Sequence, residues 1–352
     1  MTDGPQKPHV RRPRYPGSHP RAFHQKYKEL DPDRYADDVA RVLASGKTPA
    51  GTHRPIMVRE ILAVLAPEPG DFAVDATLGY GGHASALLRA VLPGGRLLAL
   101  DIDPIELPKT EARLRMGEFS ADRLIVRRSN FAGLARVLAE EGLPPANVLL
   151  VDLGLSSMQM DDPSRGFTYK RSGPLDLRMN PRRGQPASAL LASLSAVKLA
   201  RLLKDNADLP NAERLAQALV DQQRHAAITT TTELADAVRL SLPHQRGQDD
   251  GAVEPSIRRV FQALRVAVND EFGALDALLR HLPDCVAPGG RIAMLTFHSG
   301  EDRRVKQCFR DGAGRGVFSR ISDEVGRAGP DERRDNARSS AAKLRWAIRG
   351  GL

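Results

Sequence analysis

The feature that most constrains this fold is a regular alternation of apolar runs and amphipathic stretches that begins after His53. Four short apolar runs predict strands, over residues 72–75, 96–101, 124–127 and 148–152. Helical periodicity separates them, over residues 83–92, 104–117 and 131–141. Continuously apolar strands that alternate with amphipathic helices are typical of a parallel sheet covered on both faces. We therefore predict a doubly wound α/β domain.

The alternation stops after Asp152 and resumes about one hundred residues later. The intervening segment is polar, with helical periodicity over residues 186–203, 212–225 and 232–241. A long amphipathic helix is then predicted over 257–282, followed by strands over 291–297 and 344–349. The predicted domain plan is therefore an α/β domain in two parts, 53–157 and 256–352, interrupted by an inserted helical domain, 158–255.

The N-terminal extension, residues 1–52, has a different composition. Its first 28 residues contain five prolines, seven Lys or Arg and one acidic residue, so they lack the apolar surface that ordering requires. We predict a basic, Pro-rich and largely disordered arm. Tyr15, Phe23 and Tyr27 suit transient stacking on RNA, and a solvated tail without a role is the alternative.

Bulk properties exclude several classes of protein. No apolar run reaches the roughly 18 residues that a membrane span needs, and no secretory signal is present, so we expect a cytoplasmic protein. The two cysteines, Cys285 and Cys308, have no zinc-binding spacing, and no metal is predicted. A net charge of +9 favours a polyanionic partner, although a merely solvated basic surface stays open.

A glycine-rich turn, Asp75-Ala76-Thr77-Leu78-Gly79-Tyr80-Gly81-Gly82-His83, follows the first strand. Asp101 closes the second strand 22 residues beyond Gly79, where a carboxylate can accept the hydroxyl protons of a ribose. These features fit either NAD or S-adenosylmethionine. The incomplete glycine motif and the acidic Asp75 favour a cationic amino-acid moiety over a diphosphate, so we favour S-adenosylmethionine.

The third and fourth strands lead into further candidate residues. Ser129-Asn130-Phe131 can place an aromatic and polar edge against adenine, with a core role for Phe131 as the alternative. Asp152 ends the fourth strand, where its carboxylate could hold an amino group by its hydrogens.

Several strings together closely resemble the small-subunit ribosomal RNA cytosine-N4 methyltransferases (the RsmH, or MraW, family). The matching strings cover residues 75–83, 101–104, 152–162, 165–167, 173–179, 261–265, 268–269, 297–299 and 301–303. The resemblance extends over about residues 53–349. It implies a Rossmann-like S-adenosylmethionine-dependent methyltransferase sheet with an inserted helical substrate-recognition domain.

The resemblance also implies a reaction, a cofactor and a partner. The reaction is methyl transfer from S-adenosyl-L-methionine to N4 of a cytidine in the decoding centre of 16S rRNA within the small ribosomal subunit. No membrane is involved, and a homodimer is left open. The implied cofactor contacts are Gly81, Gly82, His83, Asp101, Phe131, Asp152 and Gln159.

The predicted catalytic residues each have an alternative role. Asp152 is expected to accept a proton from the reacting amine, or else to bind the cofactor's amino group. His298 could stack on the base, relay the proton, or only cap its strand. Ser156 and Ser157 could fix the base edge or form a turn. The absence of a Pro-Cys pair argues against methylation at carbon 5, which needs a thiolate.

Basic residues just after Asp152 are predicted to bind the RNA backbone, with Phe167 and Tyr169 as stacking surfaces. These cations are Arg165, Lys170, Arg171, Arg178, Arg182 and Arg183. Three alternatives remain: a nucleotide-dependent oxidoreductase, a non-catalytic RNA-binding assembly factor, and an amino-group methyltransferase of another RNA. The chain also departs from the family pattern, at residues 53–58, 206–211 and 254–256 and at Gly300.

Overall fold

The computed structural model describes residues 55–116, 119–242 and 253–351. Residues from Pro55 onward belong to one compact unit. The predicted N-terminal arm, residues 1–52, lies outside the described residues. Among those described, no helix is both long and apolar enough to cross a membrane.

A seven-stranded sheet organises the fold. Its strands are β1 (Phe72–Asp75), β2 (Arg96–Asp101), β3 (Leu124–Arg128), β4 (Ala146–Asp152), β5 (Val286–Thr296), β6 (Phe318–Ile321) and β7 (Lys343–Arg349). The spatial order is β3-β2-β1-β4-β5-β7-β6. Strands β1 to β5 are parallel to one another, and β7 pairs antiparallel with both β5 and β6. The sheet confirms the predicted Rossmann-like α/β class.

Helices cover both faces of the sheet. They are α1 (Val58–Leu65), α2 (Gly82–Val91), α3 (Glu106–Met116), α4 (Leu134–Glu140), α11 (Glu271–Cys285), α12 (Ser299–Gly314) and the short α13 (Pro330–Asp335). Adjacent strand residues point to opposite faces. Ala73 therefore joins a core with α1 and α2, whereas Val74 joins a second core with α4, α11 and α12.

The chain between β4 and β5 forms a group of helices with its own core. These are α5 (Ser157–Asp161), α6 (Ala187–Ser193), α7 (Ala196–Ala207), α8 (Ala212–His225), α9 (Thr231–Ser241) and α10 (Val253–Asn269). Each of the helices α6 to α10 contributes buried residues to this core, for example Leu191, Leu203, Leu219, Leu234 and Val260. This third core is separate from the two that flank the sheet.

The helix predicted over 257–282 is wrong, because the chain breaks it into α10 and α11. Asp270 adopts a left-handed backbone with φ of 48°, a conformation that Asp tolerates better than most residues. Asn269 fixes the break, since its side-chain amide donates to Leu177 O at 2.7 Å and its oxygen accepts from Met179 N at 2.7 Å. The helix predicted over 186–203 is likewise two helices, α6 and α7.

Candidate active site

Three carboxylates lie at the carboxyl ends of neighbouring parallel strands. Asp75 ends β1, Asp101 ends β2 and Asp152 ends β4. The strand order reverses between β1 and β4, and open α/β sheets bind ligands in the crevice at such a point. The crevice beside Asp75 and Asp152 is therefore the candidate active site.

The glycine turn after β1 is packed tightly against α3. Gly79 and Gly81 have positive φ values of 50° and 81°. A Cβ on Gly81 would lie only 3.0 Å from Thr110 Cγ2 and 3.1 Å from Leu114 Cδ1. The turn is held by Thr110, whose hydroxyl donates to Gly79 O at 2.8 Å. Glycine at position 81 therefore allows the turn to pack directly against α3, where a side chain would collide.

Asp75 and Asp152 each present a buried oxygen that has no hydrogen-bond partner among the described residues. The orphan atoms are Asp75 Oδ2 and Asp152 Oδ1. Burial raises the pKa of Asp75 to about 6, and the nearby Asp152 contributes to the same effect. Unpaired buried carboxylate oxygens are unfavourable unless a donor or a cation satisfies them. This pair fits the cationic amino-acid group expected of the cofactor.

His83 links Ile56, which precedes α1, to Asp152 at the end of β4. Its Nε2 lies 2.9 Å from Ile56 O, and its Nδ1 lies 3.4 Å from Asp152 Oδ2. The carbonyl can only accept, so Nε2 carries a hydrogen. Burial opposes the charged imidazolium, yet the hydrogen bond to Asp152 and the charges of Asp152 and Asp75 raise the pKa of His83 above 6.5. The protonated ring donates from Nδ1 to Asp152 Oδ2 and so orients that side chain.

Asp101, the predicted ribose contact, supports the glycine turn. Its Oδ2 accepts from Gly79 N at 2.8 Å, and its Oδ1 accepts from Asp103 N at 2.8 Å. Burial raises the pKa of Asp101 to about 6, and these N–H groups act against that rise. Each carboxylate oxygen accepts more than one hydrogen bond, so ribose hydroxyls can still bind here.

Gln159 and Ser156, predicted at the site, form a capping box that begins α5. Ser156 Oγ accepts from Gln159 N at 3.3 Å, and Gln159 Oε1 accepts from Ser156 N at 3.0 Å. Gln159 is buried, and its amide also donates to Asp103 Oδ2 at 2.8 Å. Ser157 is the first residue of α5, and its side chain lies outside the described part of the structure. Phe131 starts a short 3-10 turn and packs at the edge of a sheet core.

Two residues that were predicted to bind RNA are buried. Arg165 is 6% exposed, and its Nη1 donates to Asp103 Oδ2 at 2.8 Å while its Nη2 donates to Met179 O at 2.9 Å. Phe167 is 5% exposed and belongs to the core of the inserted helices. Both predictions of RNA contact are wrong, because these side chains anchor the inserted segment internally.

The remaining predicted RNA-binding cations differ in their surroundings. Arg178 makes a forked ion pair with Asp176, at 2.8 and 2.7 Å, which lowers the charge that it offers to a ligand. Tyr169 donates to Glu254 at 2.9 Å and packs on Phe261. Four cations are exposed, and they are Lys170, Arg171, Arg182 and Arg183.

His298 caps α12 at the end of β5. Its ring lies 3.1 Å from Glu301 Oε1, and its side chain is 10% exposed. Burial alone would raise the pKa of Glu301, but the hydrogen bond and charge of His298 hold it below its usual range. Gly300, a departure from the family pattern, makes room for Phe272, since a Cβ there would lie 2.4 Å from that ring.

One group of three metal-ligating side chains occurs in the described ranges. Glu271, His298 and Glu301 place ligand atoms within 4.8 Å of one another. Arg265 already donates to both oxygens of Glu271, at 2.7 and 2.9 Å. Arg265 thus pairs with Glu271 while His298 pairs with Glu301, so we assign the cluster to the support of the β5–α12 turn.

Two supporting residues were missed from the sequence. Thr77 accepts from Asp152 N at 2.6 Å and so links the turn after β1 to the end of β4. Asp103 is fully buried and collects donors from Gln159 and Arg165. Both residues lie inside strings that resemble the family. Their position in those strings was the one sequence signal that could have indicated a role at the site.

The sheet order, the bare glycine turn and the paired orphan carboxylates together define a Rossmann-like methyltransferase. The chain belongs to the MraW methylase family, whose model matches residues 50–349. Ribosomal RNA small subunit methyltransferase H 1 of Lachnoclostridium phytofermentans is 43% identical over 352 residues, covering 99% of this chain and 95% of the relative. The corresponding methyltransferase H 2 of Alkaliphilus metalliredigens is 44% identical and covers 99% of each chain.

A solved structure is also similar to this chain. An rRNA methylase from Streptococcus thermophilus has a TM-score of 0.38 and 10% sequence identity, over 83% of this chain and 93% of that one. The family assignment rests on the sequence matches.

Proposed function

We propose that this methyltransferase transfers a methyl group from S-adenosylmethionine to the N4 amine of a cytidine in the decoding centre of 16S ribosomal RNA, in the cytoplasm. The observation that carries the proposal is the pair of orphan carboxylate oxygens, Asp75 Oδ2 and Asp152 Oδ1, at the reversal point of the sheet. Relatives over nearly the whole chain are named ribosomal RNA small subunit methyltransferases, which supports the substrate.

In this proposal, one group of residues binds the cofactor and Asp152 acts on the target base. When bound, the cofactor supplies an electrophilic methyl group on a sulfonium. Asp75 is placed to hold the cationic amino-acid group, and Asp101 to accept from the ribose hydroxyls. The backbone of Gly81, Gly82 and His83 lies along the same crevice, with Phe131 and Gln159 as the further proposed contacts.

Asp152 is the proposed proton acceptor. Cytosine N4 is a weak nucleophile because its lone pair is delocalised into the ring. As the new N–C bond forms and the C–S bond breaks, the nitrogen must lose one proton. Asp152 Oδ1 has no partner among the described residues, while Oδ2 faces His83, so Oδ1 is available to the amine. Alignment of the amine with the methyl group can lower the barrier by up to about 7–11 kcal/mol.

Both cysteines support nitrogen over carbon methylation. Burial raises the pKa of Cys285 to about 12 and that of Cys308 to about 11. Each is therefore a protonated thiol at neutral pH and a poor nucleophile. Methylation at carbon 5 would require a thiolate near the base.

Transfer of labelled methyl groups tests the function. Purified protein and labelled cofactor are incubated with 30S particles from a strain that lacks the endogenous enzyme, with 50S particles as the control. We expect label only in the 30S RNA. No transfer, under conditions in which an established family member is active, would overturn the proposal. Label in another RNA would favour an amino-group methyltransferase with a different substrate.

A further inference from the structure

A basic cavity lies beside the cofactor crevice. It has a volume of about 240 Å³, and its walls come from two parts of the chain. Ile102 follows β2, Arg128 and Asn130 lie at or just after the end of β3, and Arg136 lies on α4. Asn180 and Arg183 come from the loop that precedes α6.

The guanidinium groups of this cavity are poorly neutralised. Arg136 lies 3.7 Å from Glu140, in an exposed pair, and such pairs are worth about 0–1 kcal/mol. The side chains of Arg128 and Arg183 have no hydrogen bond or ion pair with any described residue. Three cations thus line one cavity, and none of its lining residues is acidic.

The two asparagines add further donors. Asn130 Oδ1 accepts from Ala132 N at 2.8 Å, and Asn180 Oδ1 accepts from Arg182 N at 3.0 Å. Because both amide oxygens face the backbone, the NH₂ groups are the parts left for a ligand. Guanidinium groups are also donors only. The cationic and amide groups of the cavity therefore suit a ligand that carries negative charge and only accepts hydrogen bonds.

A phosphate fits this requirement better than the cofactor does. Adenine carries both donors and acceptors, and three neighbouring cations would repel the sulfonium and the ammonium of S-adenosylmethionine. Phosphate oxygens are acceptors, and arginine binds them through two parallel hydrogen bonds.

We propose that this cavity binds a backbone phosphate of the substrate RNA and so holds the RNA against both the β3 end and the 180–183 loop. The proposal rests on the proposed function and extends it to a specific phosphodiester site. Contacts of this kind position a nucleic acid without reading its sequence. They would hold the RNA in place while the target nucleotide is flipped out of the base stack.

The test removes two cations from the cavity and two from elsewhere. The variant is Arg128→Gln with Arg183→Gln. The matched control is Arg89→Gln with Arg310→Gln, which removes the same charge from exposed positions on α2 and α12. Affinity for unmethylated 16S rRNA is measured over a range of salt concentrations, and affinity for S-adenosylmethionine is measured by calorimetry. Circular dichroism confirms the fold of each variant.

We expect the cavity variant to bind RNA about tenfold or more weakly, with a salt dependence that is shallower by about 1 to 2 in log–log slope. Its affinity for S-adenosylmethionine should stay within twofold of wild type, and the control should change neither quantity to the same degree. Unchanged RNA affinity, or a loss confined to cofactor affinity, would overturn the proposal. The single variants Arg128→Gln and Arg183→Gln should each give about half the change in slope.

These binding measurements require no turnover. If wild-type protein bound 16S rRNA through the cavity but transferred no methyl group to it, the proposed function would fail while the phosphate site stood. If wild type methylated the RNA and the double variant bound it normally, only the phosphate site would fail.

Discussion

His83 lies between two oxygens, with Nε2 2.9 Å from Ile56 O and Nδ1 3.4 Å from Asp152 Oδ2. The carbonyl fixes one ring hydrogen at Nε2, so only the protonated ring can donate to Asp152 as well. The proposed proton acceptor is therefore held by a cation that the protein itself supplies. This relationship makes the orientation of Asp152 depend on the turn after β1.

Replacement of His83 by Gln should lower kcat by about tenfold or more, because Asp152 loses its orienting partner. The wild-type rate should fall on the alkaline side, as the pH rises through a His83 pKa that lies above 6.5. In the variant that alkaline decline should be absent. A pH–rate profile checks both effects, and an unchanged alkaline limb would show that His83 does not act through Asp152.

Asp152→Asn should reduce kcat by about 100-fold or more, since general base catalysis typically contributes about 10² to 10⁴. Asn preserves the shape of the side chain but cannot take up the proton. Steady-state kinetics with a separate cofactor-binding measurement distinguish the two roles of this residue. A large loss of cofactor affinity with a nearly normal kcat would assign Asp152 to the cofactor alone.

Asp75 is predicted to reduce the stability of the ligand-free protein at neutral pH. Its pKa is about 6 in the folded state and ordinarily 3.8, so between these values the folded protein retains a proton that the unfolded chain has released. Stability contributed by this proton is present at low pH and is lost as the pH rises from about 4 to about 6. The penalty at pH 7 is on the order of 3 kcal/mol.

Asp75→Asn should therefore raise the free energy of unfolding at pH 7 and flatten its dependence on pH between 4 and 6. Urea titrations at several pH values measure both. The same variant should bind S-adenosylmethionine more weakly, because the cationic group loses a carboxylate. A variant that is less stable at pH 7 than wild type would contradict the burial account.

Arg165→Met should destabilise the protein by about 3–5 kcal/mol, because it removes the cationic partner of the buried Asp103 carboxylate. Adding Asp103→Asn should recover part of the loss, and urea unfolding measures the coupling between the two. Where the variants remain folded, the salt dependence of RNA binding should match wild type. A shallower salt dependence of RNA binding would show that Arg165 contacts the RNA after all.

The sheet could be predicted because each of its early strands is continuously apolar and ends in a residue with recognisable chemistry. The break at Asp270 could not, because the amphipathic pattern continues through it and the tertiary hydrogen bonds of Asn269 determine it. Strand β6 could not be predicted either, because its two central residues, Ser319 and Arg320, are polar and exposed and interrupt any apolar run.

The roles of the cations in the inserted segment could not be predicted from the sequence either. Arg165 and Arg183 look alike in sequence, yet one is buried against Asp103 and the other lines a basic cavity. Charge along the chain indicated where polar chemistry would concentrate, and it did not distinguish internal ion pairs from surface ones. Only the packing around Asp103 makes that distinction.

The most direct test of the central claim is to map the methylated nucleotide by mass spectrometry of nuclease-digested 16S rRNA, before and after reaction with the purified protein. We expect one new N4-methylated cytidine in the decoding centre, absent when Asp152→Asn replaces wild type. A methyl group on carbon 5, on an adenine, or on no nucleotide of the small-subunit RNA would contradict it.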